Sequence, residues 1–296
     1  MEIRQLRYFL SAMRRGSLRA AAKEHFVTQP AVSIQMKKLE DEFGEKLYVR
    51  RGRRLEPTQA GAMLAAESEE ILRRVDELAQ RIRGIKGLES GVLKMGNIDA
   101  ASTYVLPGVF SSFRRKYPGI DIEVTVTDTL SLVGALETGA IELAIATLPL
   151  AAHSHEVIPF YEDEMVLVAS PKHELARTRR RRNILQRVAE TSLITYPARS
   201  TTRRLIEKVF MDHGVSLRVT MEMSSPEAIK KLTEAGLGAS ILPAELVSTE
   251  IRTGKLERIP TGKARFSRML GVVHRKPGPL SPPARAFVEM LLKRYR

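Results

Sequence analysis

Residues 17–61, SLRAAAKEHFVTQPAVSIQMKKLEDEFGEKLYVRRGRRLEPTQAG, limit the possible folds more than any other stretch: short helical segments, one sharp turn and a dense arginine cluster follow in fixed order. Ser17 is a favoured N-cap and opens a helix through Ala20, Ala21 and Ala22 toward Glu24, whose small side chains let another helix approach closely. After Phe26 and Val27, Thr28 can cap a second helix, with Pro30 in the first turn, where a missing N–H costs little. Val32, Met36, Leu39 and Phe43 recur at three- and four-residue steps and are expected to share a buried stripe. Gln29, Ser33 and Lys37 then stand on another face. An exposed glutamine can read adenine, a serine can serve a base edge or a phosphate, and Lys37 and Lys38 can neutralise backbone charge. Ile34, awkward in water, would fit a thymine methyl. Gly44 ends this helix, and Lys46–Leu55 should form a two-stranded ribbon with Arg50, Arg51, Arg53 and Arg54 around a turn at Gly52. Such a wing would lie along phosphates or reach an adjacent minor groove. A helical core with a solvated arginine loop is the plainer reading, but the ordered combination favours a sequence-specific DNA-binding head.

This segment resembles the N-terminal domain of the LysR-type transcriptional regulators. The matching residues are Ser17, Ala20 and Ala21; Thr28, Gln29, Pro30, Ala31, Val32 and Ser33; Leu39 and Glu40; Gly44; Leu47 and Arg50; and Thr58 and Gly61. Tyr48 stands where Phe is usual and Ile34 where an arginine is frequent, so the contact at Ile34 differs from the family pattern.

The chain of 296 residues is long enough for several domains with sizeable cores, and its 43% hydrophobic content argues against wholesale disorder. A net charge of +14 favours a polyanionic partner. Residues 1–90 hold eighteen basic and thirteen acidic residues, so much of the excess lies downstream and charge alone does not locate a DNA surface. The absence of cysteine excludes disulfides, thiolate metal ligands and cysteine catalysis. MEIRQLRYFL lacks a signal-peptide core, and no stretch supplies the ~20 apolar residues of a membrane helix, so no membrane partner and a cytoplasmic location are expected.

Residues 3–15 read as a first helix with Ile3, Leu6, Phe9, Leu10 and Met13 on one face, completing a trihelical winged head over 1–58. From 59 to 86 the pattern becomes one long linker helix. Leu64, Ser68, Ile71, Val75, Leu78, Ile82 and Ile85 advance by threes and fours, a coiled-coil seam broken at Ser68 that is expected to pair two copies of the chain, with packing on the same chain's C-terminal domain as the alternative. A homodimer would set two recognition helices on promoter DNA with dyad symmetry. Gly84, Gly87 and Gly91 mark a hinge at 87–91.

Beyond it, strands and helices alternate twice: strand GVLKMGNI, helix 104–116, strand 120–127, helix 130–137 and strand 141–146, then strand 193–196, helix 201–213, strand 217–221, helix 226–235 and strand 239–242. The expectation is two related α/β lobes with a largely parallel sheet, lobe I at about 92–161 and 269–296 and lobe II at about 162–268. Crossings are expected at Met165–Ala169 and Met269–Val273, with a terminal helix from Pro283 to Tyr295 returning to lobe I. Leu106-Pro107, Tyr117-Pro118, Pro171 with His173 and Leu175, and Ala235-Gly236-Leu237-Gly238 with Leu242-Pro243 extend the resemblance, more weakly, across nearly the whole chain. The fold it implies is multidomain: an all-α winged helix-turn-helix head, a linker helix and a two-lobed α/β effector domain like the periplasmic binding proteins. It further implies a dimer assembled into a tetramer, contact with RNA polymerase and a small-molecule effector.

In the expected cleft, Ala100, Ser102 and Thr103 follow the first strand, and Arg199, Thr201 and Thr202 precede a helix in the second lobe, with Thr147 after a third strand. Free N–H groups at helix starts, hydroxyls and a forked guanidinium suit an anionic effector, although simple helix capping would use the same hydroxyls. Arg177 and Arg179 to Arg182 read as a solvated basic loop, with oligomer or distal DNA contacts as the alternative. His153 and His155 lack a convincing third ligand for zinc. No dinucleotide or P-loop fingerprint and no nucleophile–base motif is present, so neither a cofactor nor catalysis is expected. The rival readings are an architectural DNA-binding protein without an effector and an α/β enzyme fused to a DNA-binding head.

Overall fold

Helix α1 (Ile3–Arg15) begins with a reciprocal capping box between Glu2 and Gln5 and ends at Gly16, whose φ of 64° reverses the chain. Helix α2 (Leu18–Glu24) is capped by the Ser17 hydroxyl, which accepts the Ala20 N–H at 3.4 Å. Helix α3 (Gln29–Phe43) carries Pro30 in its first turn and stops at Gly44, φ 67°. Strands β1 (Tyr48–Arg51) and β2 (Arg54–Pro57) form the antiparallel ribbon around Gly52, and α4 (Gln59–Gly84) follows. The computed structural model describes the chain except for residues 53, 85–87, 89, 151–153, 178–182, 277–279 and 296, and except for the side chains of 76, 77, 80, 81, 83 and 84. Arg53, Ile85, Gly87, His153 and Arg179 to Arg182 therefore lie outside the described residues. The chain separates into two units, Met1–Ile85 and Lys86–Arg296.

The head core joins Tyr8, Phe9, Ala12, Leu18, Ala21, Val32, Met36, Leu39, Leu47 and Leu55. Ala21 is fully buried, which fits the close helix approach its size permits. Two expected core positions are corrected. Phe43 is exposed because α3 ends at the next residue; the stripe closes on buried Glu40, whose carboxylate accepts the Leu47 N–H and the Lys46 ammonium, each at 3.0 Å. Ile3 is exposed because burial on α1 centres on Gln5, Leu6, Tyr8, Phe9, Leu10 and Ala12. The wing joins α4 through Thr58, whose hydroxyl donates to the Lys46 carbonyl at 2.6 Å and accepts the Gly61 N–H at 3.0 Å. A side chain at Gly61 would collide with the Leu47 carbonyl, so only glycine fits there. Leu72 of α4 packs on Leu6 and Leu10 of α1, and Ser68 is fully buried. Further along the stripe, Ile71, Leu78 and Ile82 are exposed.

In the second unit the order is β3 (Gly91–Asn97), a π-helical turn at Ala101–Val105, α5 (Pro107–Lys116), β4 (Ile120–Val126), α6 (Thr129–Glu137), β5 (Leu143–Leu148) and β6 (His155–Ala169). Then come α7 (Glu174–Arg177), α8 (Ile184–Glu190), β7 (Leu193–Thr195), α9 (Thr201–Asp212), β8 (Val219–Glu222), α10 (Pro226–Glu234), β9 (Ser240–Pro243), α11 (Ala244–Arg252), β10 (Glu257–Arg258), β11 (Phe266–Arg275) and α12 (Pro282–Tyr295). Strands β4, β3 and β5 are parallel, and β11 joins β5 antiparallel. In the other lobe β7 and β8 are parallel, β7 touches Ala239 through one parallel bridge, and β9 joins β6 antiparallel. The sheet is thus mixed rather than largely parallel, because the two crossing strands β6 and β11 run antiparallel to each other and to their lobe neighbours. Each is longer than the expected crossings, 15 and 10 residues.

The apolar cores change over along these two strands. On β6, Phe160 belongs to one core and Met165 to the other; on β11 the corresponding residues are Leu270 and Phe266. Helix α12 packs on the first core through Phe287 and Leu291. Among the described residues no helix is long and apolar enough to cross a membrane.

Candidate functional site

On the head, Thr28, Gln29, Pro30, Ile34, Lys37 and Lys38 are exposed and Ser33 is half-buried, so α3 turns this row outward while Val32, Met36 and Leu39 anchor it. Thr28 occupies the N-cap but makes no side-chain bond to the helix, and Pro30 removes one of the two N–H groups a cap can reach. The start of α3 therefore keeps free donors beside exposed Gln29, an arrangement suited to a phosphate. Arg50, Arg51 and Arg54 are exposed on the hairpin. Arg51 lies 3.3 Å from Glu56 on the facing strand. The Arg54 stem lies over Gly16, where Leu55 N–H also reaches the Gly16 carbonyl at 2.9 Å, which fixes the wing against the α1–α2 turn.

In the second unit a cavity of about 300 Å³ opens between the lobes. Its walls come from the carboxyl ends of strands: Ile98, Asp99 and Ala100 after β3, Val126 to Leu130 after β4, Thr147 on β5, Tyr196 and Pro197 after β7, and Ser224 and Ser225 after β8. Strand ends and the helix starts that follow them are where α/β sheets present free N–H groups. Asp128 caps α6 by accepting the Leu130 and Ser131 N–H groups at 3.1 Å each, and Ser225 caps α10 through the Ala228 N–H at 3.5 Å. Ser200, by contrast, makes no side-chain cap bond to α9.

Under the cavity sits a buried polar network. Arg268 of β11 donates to Asp163 of β6 at 2.8 Å, to the Thr202 hydroxyl of α9 at 2.9 Å and to the Tyr104 hydroxyl at 2.9 Å, while Tyr104 donates to Asp163 at 2.6 Å. Arg268 and Asp163 are cross-strand partners at the changeover between the cores, with side chains only 2% and 1% exposed. Burial opposes the charge on Arg268, but the facing Tyr104, Tyr196 and Asp163 outweigh it and raise its pKa. Tyr196 lines the cavity; burial pushes its phenol up to about 12, and its buried hydroxyl has no hydrogen-bond partner among the described residues. At the rim, Arg199 is exposed and stands 3.6 Å from Asp128. Burial of Asp128 opposes its ionisation, but bonds from Ser131 and Leu130 and the charge of Arg199 prevail and hold its carboxyl below the usual range. Asp99 is shifted the other way, by burial and then by the nearby charge of Glu227.

Residues 3–62 match the family model described as bacterial regulatory helix-turn-helix protein, lysR family, and residues 86–296 match the LysR substrate binding domain. The chain belongs to the LysR family of transcriptional regulators. A relative from Rhodospirillum rubrum, HTH-type transcriptional regulator CbbR, is 34% identical over 291 residues, 98% of this chain and 95% of the relative. The RuBisCO operon transcriptional regulator of Allochromatium vinosum is 31% identical over 292 residues, 99% of this chain and 96% of the relative. The solved structure of full-length CbnR complexed with its target DNA aligns over 100% of both chains with a TM-score of 0.69 and 24% identity, a likeness of fold. The LysR membership makes this chain a DNA-binding transcriptional regulator with a winged head and an α/β effector-type domain.

Of the effector residues expected from sequence, this LysR-type cleft gathers Ala100, Thr147, Arg199, Thr201 and Thr202. Ser102 and Thr103 do not line it. The Ser102 hydroxyl takes a bond from the Asn97 amide, and Thr103 is exposed and donates to the Asp99 carbonyl at 3.0 Å, because the chain here makes a π-helical turn instead of the expected helix start. Sequence reasoning missed Asp128, Thr129, Tyr196, Ser225 and Arg268. Asp128, Thr129, Tyr196 and Ser225 stand just beyond the carboxyl ends of β4, β7 and β8, where α/β sheets border a cleft, whereas Arg268 lies near the start of β11 and no such rule marks it. His155 is buried, and Arg177 closes the short helix α7.

Proposed function

We propose that this regulator is ligand-responsive: it binds promoter DNA through Gln29, Ser33, Ile34, Lys37, Lys38 and the wing arginines, and a small anionic molecule in the interlobe cavity shifts the DNA-bound arrangement. The observation that carries the ligand reading is the uncapped start of α9, Thr201 and Thr202, beside the unpartnered, buried Tyr196 hydroxyl in one cavity. Arg199 adds an exposed guanidinium at the rim, and the Thr202 hydroxyl links an occupant there to Arg268 and so to both crossing strands. A ligand that favours one lobe arrangement shifts the population toward it. The exposed Ile71, Leu78 and Ile82 stripe of α4 supports pairing with a second copy, which sets two heads on a dyad-symmetric site.

Selection of DNA fragments with purified protein, followed by footprinting at fixed salt, tests this. One relative is named for a RuBisCO operon, which makes a RuBisCO promoter the first DNA to try. Recovery of a compact dyad motif is expected. Gln29→Ala should cost about 1–3 kcal/mol and relax preference at one base position, while Arg50→Ala should weaken all sequences and lower the salt slope by about one. Small carboxylates and phosphates screened by thermal shift should yield a ligand that moves the footprint and loses affinity with Thr201→Ala or Arg199→Ala. Diffuse recovery of DNA without a motif rejects sequence-specific control, and ligand affinity unaltered by both cleft substitutions rejects the cleft.

A further inference from the structure

Two of the three short helices of the head end in a left-handed glycine: Gly16 after α1, φ 64°, and Gly44 after α3, φ 67°. Helix α2 ends instead at His25, φ −97°, and the left-handed residue is the next one, Phe26, φ 55°. The turn is a tight one, with the Phe26 N–H donating to the Lys23 carbonyl at 3.3 Å and the Val27 N–H to the Ala22 carbonyl at 3.0 Å. Glycine makes this turn without strain, whereas a bulky L side chain is forced against its own backbone. Packing within the head does not compensate, because Phe26 is 96% exposed. A strained residue whose side chain is almost wholly exposed points to a use outside the fold.

Its surroundings identify the occupant. Phe26 lies two residues before Thr28, at the uncapped start of α3. Arg19, Lys23, Val27 and Gln29 border a shallow depression between α2 and that helix start. Cations and free helix N–H groups suit phosphates; the Phe26 ring does not line the depression itself, but it is exposed next in sequence to Val27 at its border and suits the apolar side of a neighbouring sugar. We propose that Phe26 is a DNA contact of this chain, its ring packing on the deoxyribose of the strand whose phosphates meet the start of α3. The inference rests on DNA binding by the head and adds to it a residue that carries affinity without charge.

The test uses the full-length protein with Phe26→Gly and Phe26→Leu, measuring thermal unfolding and affinity for a selected operator across a salt series. Phe26→Gly is expected to keep or raise the unfolding temperature and to weaken DNA binding roughly tenfold, with Phe26→Leu intermediate. The salt slope should stay unchanged, because no phosphate loses its partner charge. Unchanged affinity in a stably folded Phe26→Gly protein overturns the proposal. So does loss of transcription control with affinity intact, which would assign the ring to a protein partner. Gln29→Ala run in parallel separates the two levels: if it weakens binding while Phe26→Gly does not, the head surface stands and only the Phe26 contact falls.

Discussion

Between Thr28 and Arg54 the head sets its candidate DNA surface on one helix and one hairpin, almost all of it exposed, whereas the cleft draws its lining from Ile98 to Arg268 and rests on side chains sealed from water. A surface that meets a long polymer has to present a row of groups, and a single helix face does that with residues three and four apart. A pocket that encloses a small molecule needs groups converging from several directions, which only a folded sheet supplies. The same difference divides the consequences of mutation. Exposed charges such as Lys37, Lys38 and Arg50 are expected to be removable with little effect on folding, while Arg268 and Asp163 pair the two crossing strands under the cleft.

Asp163→Ala should break this comparison most forcefully. It leaves the Arg268 guanidinium buried at 2% exposure without its carboxylate, and loss of one partner from a buried pair costs about 3–5 kcal/mol. Denaturant unfolding of the full chain, read by hydrogen exchange in each unit, should show the second unit weakened and residues 1–84 unaffected. Equal loss of protection in both units would mean that they do not behave as separate folding units.

The head has its own non-negotiable position at Gly61. A methyl group there meets the Leu47 carbonyl, and neither the ribbon nor α4 can retreat without losing the Thr58 bonds. Gly61→Ala is expected to cost about 1–3 kcal/mol of head stability and to weaken DNA binding through displacement of the wing. Retention of both stability and affinity would show that the wing is positioned by something other than this junction.

The contrast also governs what could be read before folding. The head was legible almost residue by residue, because capping, glycine turns and a helical stripe are local signals; only its ends, Phe43 and Ile3, came out exposed instead of buried. The strand and helix alternation of the second unit was legible too. Its antiparallel crossings were not, since direction is fixed by where a strand returns and leaves no local mark. Arg268 shows the limit most clearly. Nothing near FSRMLG distinguishes a buried arginine from a surface one on an amphipathic strand. Its role exists only because β6 places Asp163 opposite, the π-helical turn brings Tyr104 and α9 brings Thr202. Ser102 and Thr103 stand outside the cavity lining for the related reason that hydroxyls are as readily taken up by neighbouring backbone and side-chain groups as offered to a ligand.

The smallest expected effect concerns charge within the cleft. Arg199 faces Asp128, whose pKa is held below the usual carboxylate range against its partial burial by the bonds from Ser131 and Leu130 and the charge of Arg199, whereas burial and then Glu227 raise the pKa of Asp99. An anionic ligand therefore meets a rim carboxylate that becomes neutral as pH falls through its raised value. Protonation removes a like-charge repulsion, so affinity for a carboxylate ligand identified by the thermal-shift screen should rise by a few-fold as pH is lowered. Asp99→Asn should reproduce the higher affinity at neutral pH and flatten the pH dependence. Isothermal titration at several pH values decides the matter: an Asn variant that binds more weakly would place Asp99 among the groups that accept hydrogen bonds from the ligand and would reverse the sign of the charge preference assigned to this end of the cleft.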